Sequence, residues 1–242
     1  MTRLMNMFIL NLLLGLTSAA AAAEYSDPAG FSFTYPSDWT PVAKPGGKIS
    51  TATLPPAVQN WIRQNQSAMD HVNMSLLHAG GEFMENLNVV VQPDEIPVKQ
   101  SSIDHLLTTL PEQYRAMGGT TENMQGRIQN FGANKAIVIE YRVRFPVVAH
   151  QLMQRQVMFP GGGQSFIVTC TAKADGFAAI APTFDGILAS FKLPAPTSQG
   201  FDWNSVLGKA IEGGIIGGAI GGIIAIGRML KKKKPASPPS GG

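Results

Sequence analysis

Met69, His71, Met74, His78 and Met84 fall within sixteen residues, and a set of thioethers with imidazoles suits a copper ion. Strand alternation from Val72 to Leu77 would place His71 and His78 on opposite faces. Methionine also fills irregular gaps in cores. The cluster therefore predicts packing, with no metal ion and no cofactor. A membrane-anchored small-solute or copper-type binding module stands as the alternative reading. Asp70, Glu82 and Glu85 are close in sequence, but nothing pairs them as an acid–base couple. Gly161-Gly162-Gly163-Gln164-Ser165 is not a phosphate loop, because no Gly-Lys-Ser/Thr follows and a strand comes next. Ser165 is not in a nucleophile elbow, since Ile167 stands where the last glycine belongs. Cys170 has no partner at a useful spacing and reads as a buried strand thiol. No catalytic residue emerges, and the expectation is a protein that is not an enzyme.

Arginines offer the best surface feature. Arg142 and Arg144 point the same way from one strand, and Arg155 lies on the next. Together they form a candidate binding face for an acidic partner or lipid headgroups. The blander reading is a solvated sheet face, or one salt-bridged to a covering helix.

The elements that position these residues follow from periodicity. Phe31, Phe33 and Tyr35 alternate with small polar residues, which marks a strand within an entry hairpin from Glu24 to Val42. Trp39 turns back to cap the same core. Pro55-Pro56 opens a helix running to Met69, with Val58 and Ile62 inward. Strands follow at Val72–Leu77 and Leu87–Val91, around a Gly80-Gly81 loop. Ser101 is expected to cap a helix carrying Ile103, Leu106, Leu107, Leu110, Tyr114 and Met117, with Pro111 kinking or splitting it and Gly118-Gly119 ending it. Strands are expected at 121–130, 136–145, 151–159 and 164–172. In the second, Ile137, Ile139, Tyr141, Val143 and Phe145 alternate with Val138, Glu140, Arg142 and Arg144. That pattern predicts one core face and one half-solvated face of an antiparallel sheet. A closing helical stretch from Phe177 carries Phe184, Ile187, Leu188 and Phe191, with Pro182 restarting it. The fold class is α+β, an antiparallel sheet flanked by helices, plus one C-terminal transmembrane helix.

Tyr25…Asp27…Gly30-Phe31-Ser32-Phe33…Tyr35-Pro36…Trp39 resembles the opening of the PsbP-like superfamily, which includes bacterial DcrB-type envelope proteins. Phe184-Asp185-Gly186-Ile187-Leu188-Ala189-Ser190-Phe191 is similar to that family's closing helix. The resemblance spans roughly Glu24 to Leu193 and rests on packing motifs. It implies an α/β/α sandwich and a non-catalytic binding or assembly role, with the envelope kind fitting better than the photosynthetic kind.

Both ends of the chain lie outside this domain. Residues 1–23 read as a secretory signal peptide, with an apolar run Leu4–Leu16 and Ala21-Ala22-Ala23 as the cleavage site. Residues 24–193 form the extracytoplasmic domain and 194–204 a linker that is stiff at first, then flexible. A glycine-zipper helix at 205–230 repeats Gly213, Gly217 and Gly221 beside Gly214, Gly218 and Gly222, a step of four that paves one helix face. Phe201 and Trp203 suit an interfacial belt. Lys209 and Arg228 snorkel, and Lys231, Lys232, Lys233 and Lys234 mark the cytoplasmic side of a tail at 231–242. The uncharged run Gly213–Gly227 has 15 residues, short of the ~20 that a span needs. Association with a second copy or another membrane helix would offset that shortfall. The expected partners are membrane lipid, such a helix, and an envelope protein. Nucleic acid is not among them. Residues 24–202 hold 12 Lys+Arg against 15 Asp+Glu, so the whole-chain charge of +3 comes from the termini, whereas a nucleic-acid footprint belongs on the folded domain. The expected location is the bacterial inner membrane, single-pass, with the main domain periplasmic.

Overall fold

A computed structural model describes residues 22–43, 54–64, 72–79, 83–146 and 148–197. Two elements lead the chain, β1 (Ala22–Ser26) and β2 (Ser32–Pro36), paired antiparallel as a hairpin. Seven more strands form one fully antiparallel sheet: β3 (Trp39–Ala43), β4 (Met74–His78), β5 (Glu85–Pro93), β6 (Thr120–Phe131), β7 (Asn134–Arg144), β8 (Leu152–Gly161) and β9 (Gln164–Lys173). Their spatial order is β3-β4-β5-β9-β8-β7-β6. Three described helices complete the domain: α1 (Pro56–Gln64), α2 (Gln100–Ala116) and α3 (Phe177–Ala189).

Alternation along the strands sorts the side chains into two cores. On one face Ile137, Ile139, Tyr141 and Val143 meet Ile103, Leu106, Leu110 and Tyr114 of α2. Val58 and Ile62 of α1 pack with Val42 and Leu77 at that face's far edge. On the other face Val138, Val157, Phe159, Phe166 and Val168 meet Phe184, Ile187 and Leu188 of α3 and Phe31 and Phe33 of the entry hairpin. Phe33 and Phe191 stack with centroids 4.7 Å apart, and Trp39 meets Phe184 edge-on at 5.6 Å. The opening aromatics and the closing helix, far apart in sequence, thus share one core. Each fully buried aromatic removes enough apolar surface to contribute about 2–3 kcal/mol.

Several boundaries differ from the sequence expectation. Lys99, not Ser101, stands at the N-cap position of α2, and no side chain caps it. The Ser102 hydroxyl instead donates to the Pro97 carbonyl, while Asp104 accepts from the Gln100 side chain. Pro111 does not split α2, because buried Leu106, Leu110 and Tyr114 hold both halves to the sheet. Pro182 does not restart α3; it is exposed within a single helix. The outer face of β7 is less solvated than its alternation suggests: Val138 and Glu140 are buried, and only Arg142 and Arg144 are exposed. The linker begins docked, since Pro194–Thr197 lie against the domain. No helix among the described residues is long and apolar enough to cross a membrane. The expected signal segment up to residue 21, Trp203, Lys209, Arg228, the zipper glycines and the terminal lysines lie outside the described residues.

Candidate functional site

Four arginines share the sheet face that carries α3: Arg127 on β6, Arg142 and Arg144 on β7, and Arg155 on β8. The pairing registers Arg127↔Val138 and Glu140↔Arg155 put them on one side. Their fates differ. Arg155 is buried, ion-paired with Glu140 and with Asp185 of α3. Its guanidinium lies 5.3 Å from the Phe177 ring centroid, a cation–π distance. Arg127 donates to the other Glu140 oxygen at 2.6 Å. Burial pushes the Glu140 carboxyl up, but two guanidinium donors outweigh it and hold the group below its usual value. Burial lowers Arg155 and Glu140 raises it, with a net rise. This cluster fastens α3 to the sheet, so Arg155 does not join the binding face expected of it. The covering helix salt-bridges it instead.

Arg142 and Arg144 are exposed and make no ion pair among the described residues. Glu122 stands directly opposite Arg142 in the ladder, yet its carboxylate accepts from Gln151 at 3.0 Å. A recess of about 370 Å³ opens beside Arg142, lined also by Ala149, His150, Gln151, Ala174 and Asp175.

The opposite end of the sheet is where the chain leaves. Gly162 and Gly163, with φ of 63° and 79°, form the two-residue β8–β9 turn that favours glycine at both positions. Asp94 (φ 84°) bends the chain out of β5, and Glu95 then meets that turn. Its carboxylate accepts from the Gly163 amide at 3.1 Å, the Thr197 amide at 2.8 Å and the Thr197 hydroxyl at 2.8 Å. The Gly162 amide donates to the Ala195 carbonyl at 2.9 Å. A Cβ on Gly161 would stand 2.6 Å from the Pro194 carbonyl oxygen, so only glycine lets the tail lie this close. A cleft of about 470 Å³ runs between this strap and Lys135, Asn134 and Pro97. The triglycine run is a turn, as expected, with the added role of receiving the tail.

A buried polar row crosses the α2 face. Register aligns Tyr141 with Gln154, Gln154 with Thr171 and Thr171 with Asn86. The Tyr114 hydroxyl donates to Gln154 Oε1 at 2.7 Å and lies 2.6 Å from the Tyr141 hydroxyl. Gln154 donates to Thr171 at 3.2 Å, Asn88 to Asn86 at 2.9 Å and Ser75 to Asn88 at 2.6 Å. Burial drives both tyrosine hydroxyls above their usual range, so they stay neutral donors. Sequence reading missed this row. Its signal is present as polar residues at i and i+2 inside apolar strands: Asn86/Asn88, Gln154/Gln156 and Thr169/Thr171.

The soft-ligand cluster is not assembled among the described residues. Met74 packs in the α3-face core and Met84 beside Val42 and Leu77. His78 stacks on Trp39 between Asp38, 3.4 Å away, and Glu85, 3.2 Å away. His71 and Met69 lie outside the described residues. Cys170 is buried as expected, and burial pushes its thiol up.

No family model matches the chain, and no curated protein matches it. Solved structures are similar to it. The cyanobacterial PsbP protein (CyanoP) of Synechocystis is 18% identical, with 74% of this chain and 96% of that one covered at a TM-score of 0.46. LpqN of Mycobacterium tuberculosis, a protein involved in cell envelope biogenesis, is 13% identical, with coverage of 72% and 91% and a TM-score of 0.39. A Bacteroides thetaiotaomicron protein is 13% identical, with coverage of 70% and 47% and a TM-score of 0.40. PsbP is also the family that the opening motif resembles.

Proposed function

We propose that this chain is a non-catalytic binding or assembly protein of the bacterial envelope, exported and held in the inner membrane by residues 205–230. Residues 231–242 are then cytoplasmic, and the described domain stands in the periplasm. The observation that best supports this reading is the strap: Pro194–Thr197 are fixed to one end of the sheet, and residues 198–204 separate them from the segment 205–230. A domain that gathers its C-terminus to one defined end is suited to sit on an anchor. The stripe of Gly213, Gly217, Gly221 and their neighbours would bring a second helix into backbone contact.

Two measurements test it. Alkaline extraction of membranes should leave the full chain in the pellet, with the domain open to protease only from the periplasmic side. Recovery in the soluble fraction contradicts anchoring. Cross-linking in membranes should fall sharply in Gly217→Leu and Gly218→Leu, and unchanged cross-linking contradicts association through the stripe.

A further inference from the structure

We infer that the cleft beside the strap is the docking site for this chain's own residues 198–204, with the Phe201 and Trp203 side chains lying against its proline walls. The docking stands apart from the anchoring reading above; only its consequence, a domain drawn toward the bilayer, rests on that reading. Three observations converge. The cleft, of about 470 Å³, opens where the described chain ends, because Pro196 and Thr197 form one of its walls. Thr197 is pinned there: its amide and its hydroxyl both donate to Glu95, and the Gly162 amide holds the Ala195 carbonyl two residues earlier. The other walls are mainly apolar, with Pro97, Val98, Ala133 and Pro160 among them.

Connectivity, not charge, chooses the occupant. Among the described residues the cleft carries one cation, Lys135, and one carboxylate, Glu95, which the strap already engages, so its charge favours neither sign. The residues that follow Thr197 are Ser198-Gln199-Gly200-Phe201-Asp202-Trp203-Asn204. Phe201 and Trp203 lie four and six residues beyond Thr197, a reach of up to about 14 and 21 Å. A cleft of this volume with Thr197 in its wall is within reach of both. Aromatic rings pack on proline rings, as they do in proline-rich recognition, and each can remove about 150–250 Å² from water. A segment tethered at the rim also competes with any outside ligand at an effective concentration of about millimolar. Docking takes Phe201 and Trp203 away from the interfacial belt that their type also suits, so the two placements exclude each other.

The test uses the full chain in phosphatidylcholine vesicles and, separately, in detergent. Disulfide formation between Ala133→Cys and Asn204→Cys is timed under mild oxidant; the native Cys170 is buried. A second pair, Ala149→Cys with Asn204→Cys, probes the far end of the sheet. Bridging within one chain is expected at 133, at least about tenfold faster than at 149. Nearness of Thr197 alone favours 133, so F201S/W203S decides: in that background bridging at 133 should slow about tenfold. Bridging at 133 that F201S/W203S leaves unchanged, or equal rates at 133 and 149, overturns the inference. A disulfide between two chains overturns it in favour of a second copy's tail. In vesicles of brominated phosphatidylcholine, the emission that W203F removes should escape quenching. Strong quenching of that emission overturns the inference in favour of the interfacial belt. A chain that alkaline washing strips from the vesicles overturns the anchoring reading, while bridging in detergent still reports on the cleft.

Discussion

Arg155 and Arg142 are one strand apart on the same face of the same sheet, and they lead different lives. Arg155 sits beneath α3 with Glu140, Asp185 and the Phe177 ring around it. Arg142 is exposed and makes no ion pair among the described residues. A guanidinium is costly to bury without a partner, so where a helix covers the sheet the carboxylates come with it. Where no described element covers the sheet, the guanidinium stays in water. Residue type does not distinguish a buried, paired arginine from a solvated one; the layer above it does.

That contrast can be broken at several points. The largest expected effect is at Glu140. Removing its charge in Glu140→Gln leaves Arg155 buried beside Asp185 alone, and chemical denaturation should show a loss of about 3 kcal/mol. The same carboxylate sets an acid limb. Its folded pKa is depressed, so its stabilisation is fully present above the unfolded carboxylate value. It is lost as pH falls through the folded one. Wild-type stability should therefore decline below about pH 4, and Glu140→Gln should flatten that decline. An unaltered acid slope in the variant would show that the pair does not carry the titration.

Next in size is Tyr114→Phe, which strips Gln154 Oε1 of its donor in a fully buried row. Unmade buried hydrogen bonds cost about 1–3 kcal/mol, and a loss near 2 kcal/mol is expected by the same denaturation assay. At the strap, Glu95→Ala removes the acceptor for both Thr197 groups and the Gly163 amide. Limited proteolysis should then cut near Thr197 much faster, with global stability reduced by about 1 kcal/mol. Unchanged protection would mean that the strap is held by Gly161 and Gly162 alone. The smallest effect on folding is expected for Arg142→Ala and Arg144→Ala, each within about 0.5 kcal/mol.

Much of this layout was legible in the residues. The two-residue period of Phe31-Phe33-Tyr35 and of Ile137 to Val143, with turns at Gly132 and Gly161–Gly163, fixes strands whose pairing only needed neighbours. The closing helix was visible in the spacing of Phe184, Ile187, Leu188 and Phe191. What remained hidden depends on contacts between distant segments. Arg155 reads as exposed from β8 alone, because its burial comes from Asp185, 30 residues on. The strap reads as linker because Glu95, 102 residues before Thr197, supplies the acceptor. Pro111 and Pro182 read as breaks, since local propensity carries no information about the sheet contacts that hold each helix together. The polar row across β5, β8 and β9 was present as alternating Asn, Gln and Thr, but alternation alone does not say that both faces of those strands are covered.

The contrast between the two arginine pairs is tested most directly by setting R142E/R144E beside Glu140→Gln in the full chain, with the denaturation midpoint measured for both. A midpoint nearly unchanged in R142E/R144E, against a large drop in Glu140→Gln, is the result expected of solvated arginines beside a buried pair. A midpoint that drops as far in R142E/R144E as in Glu140→Gln would make these arginines part of the fold and contradict it.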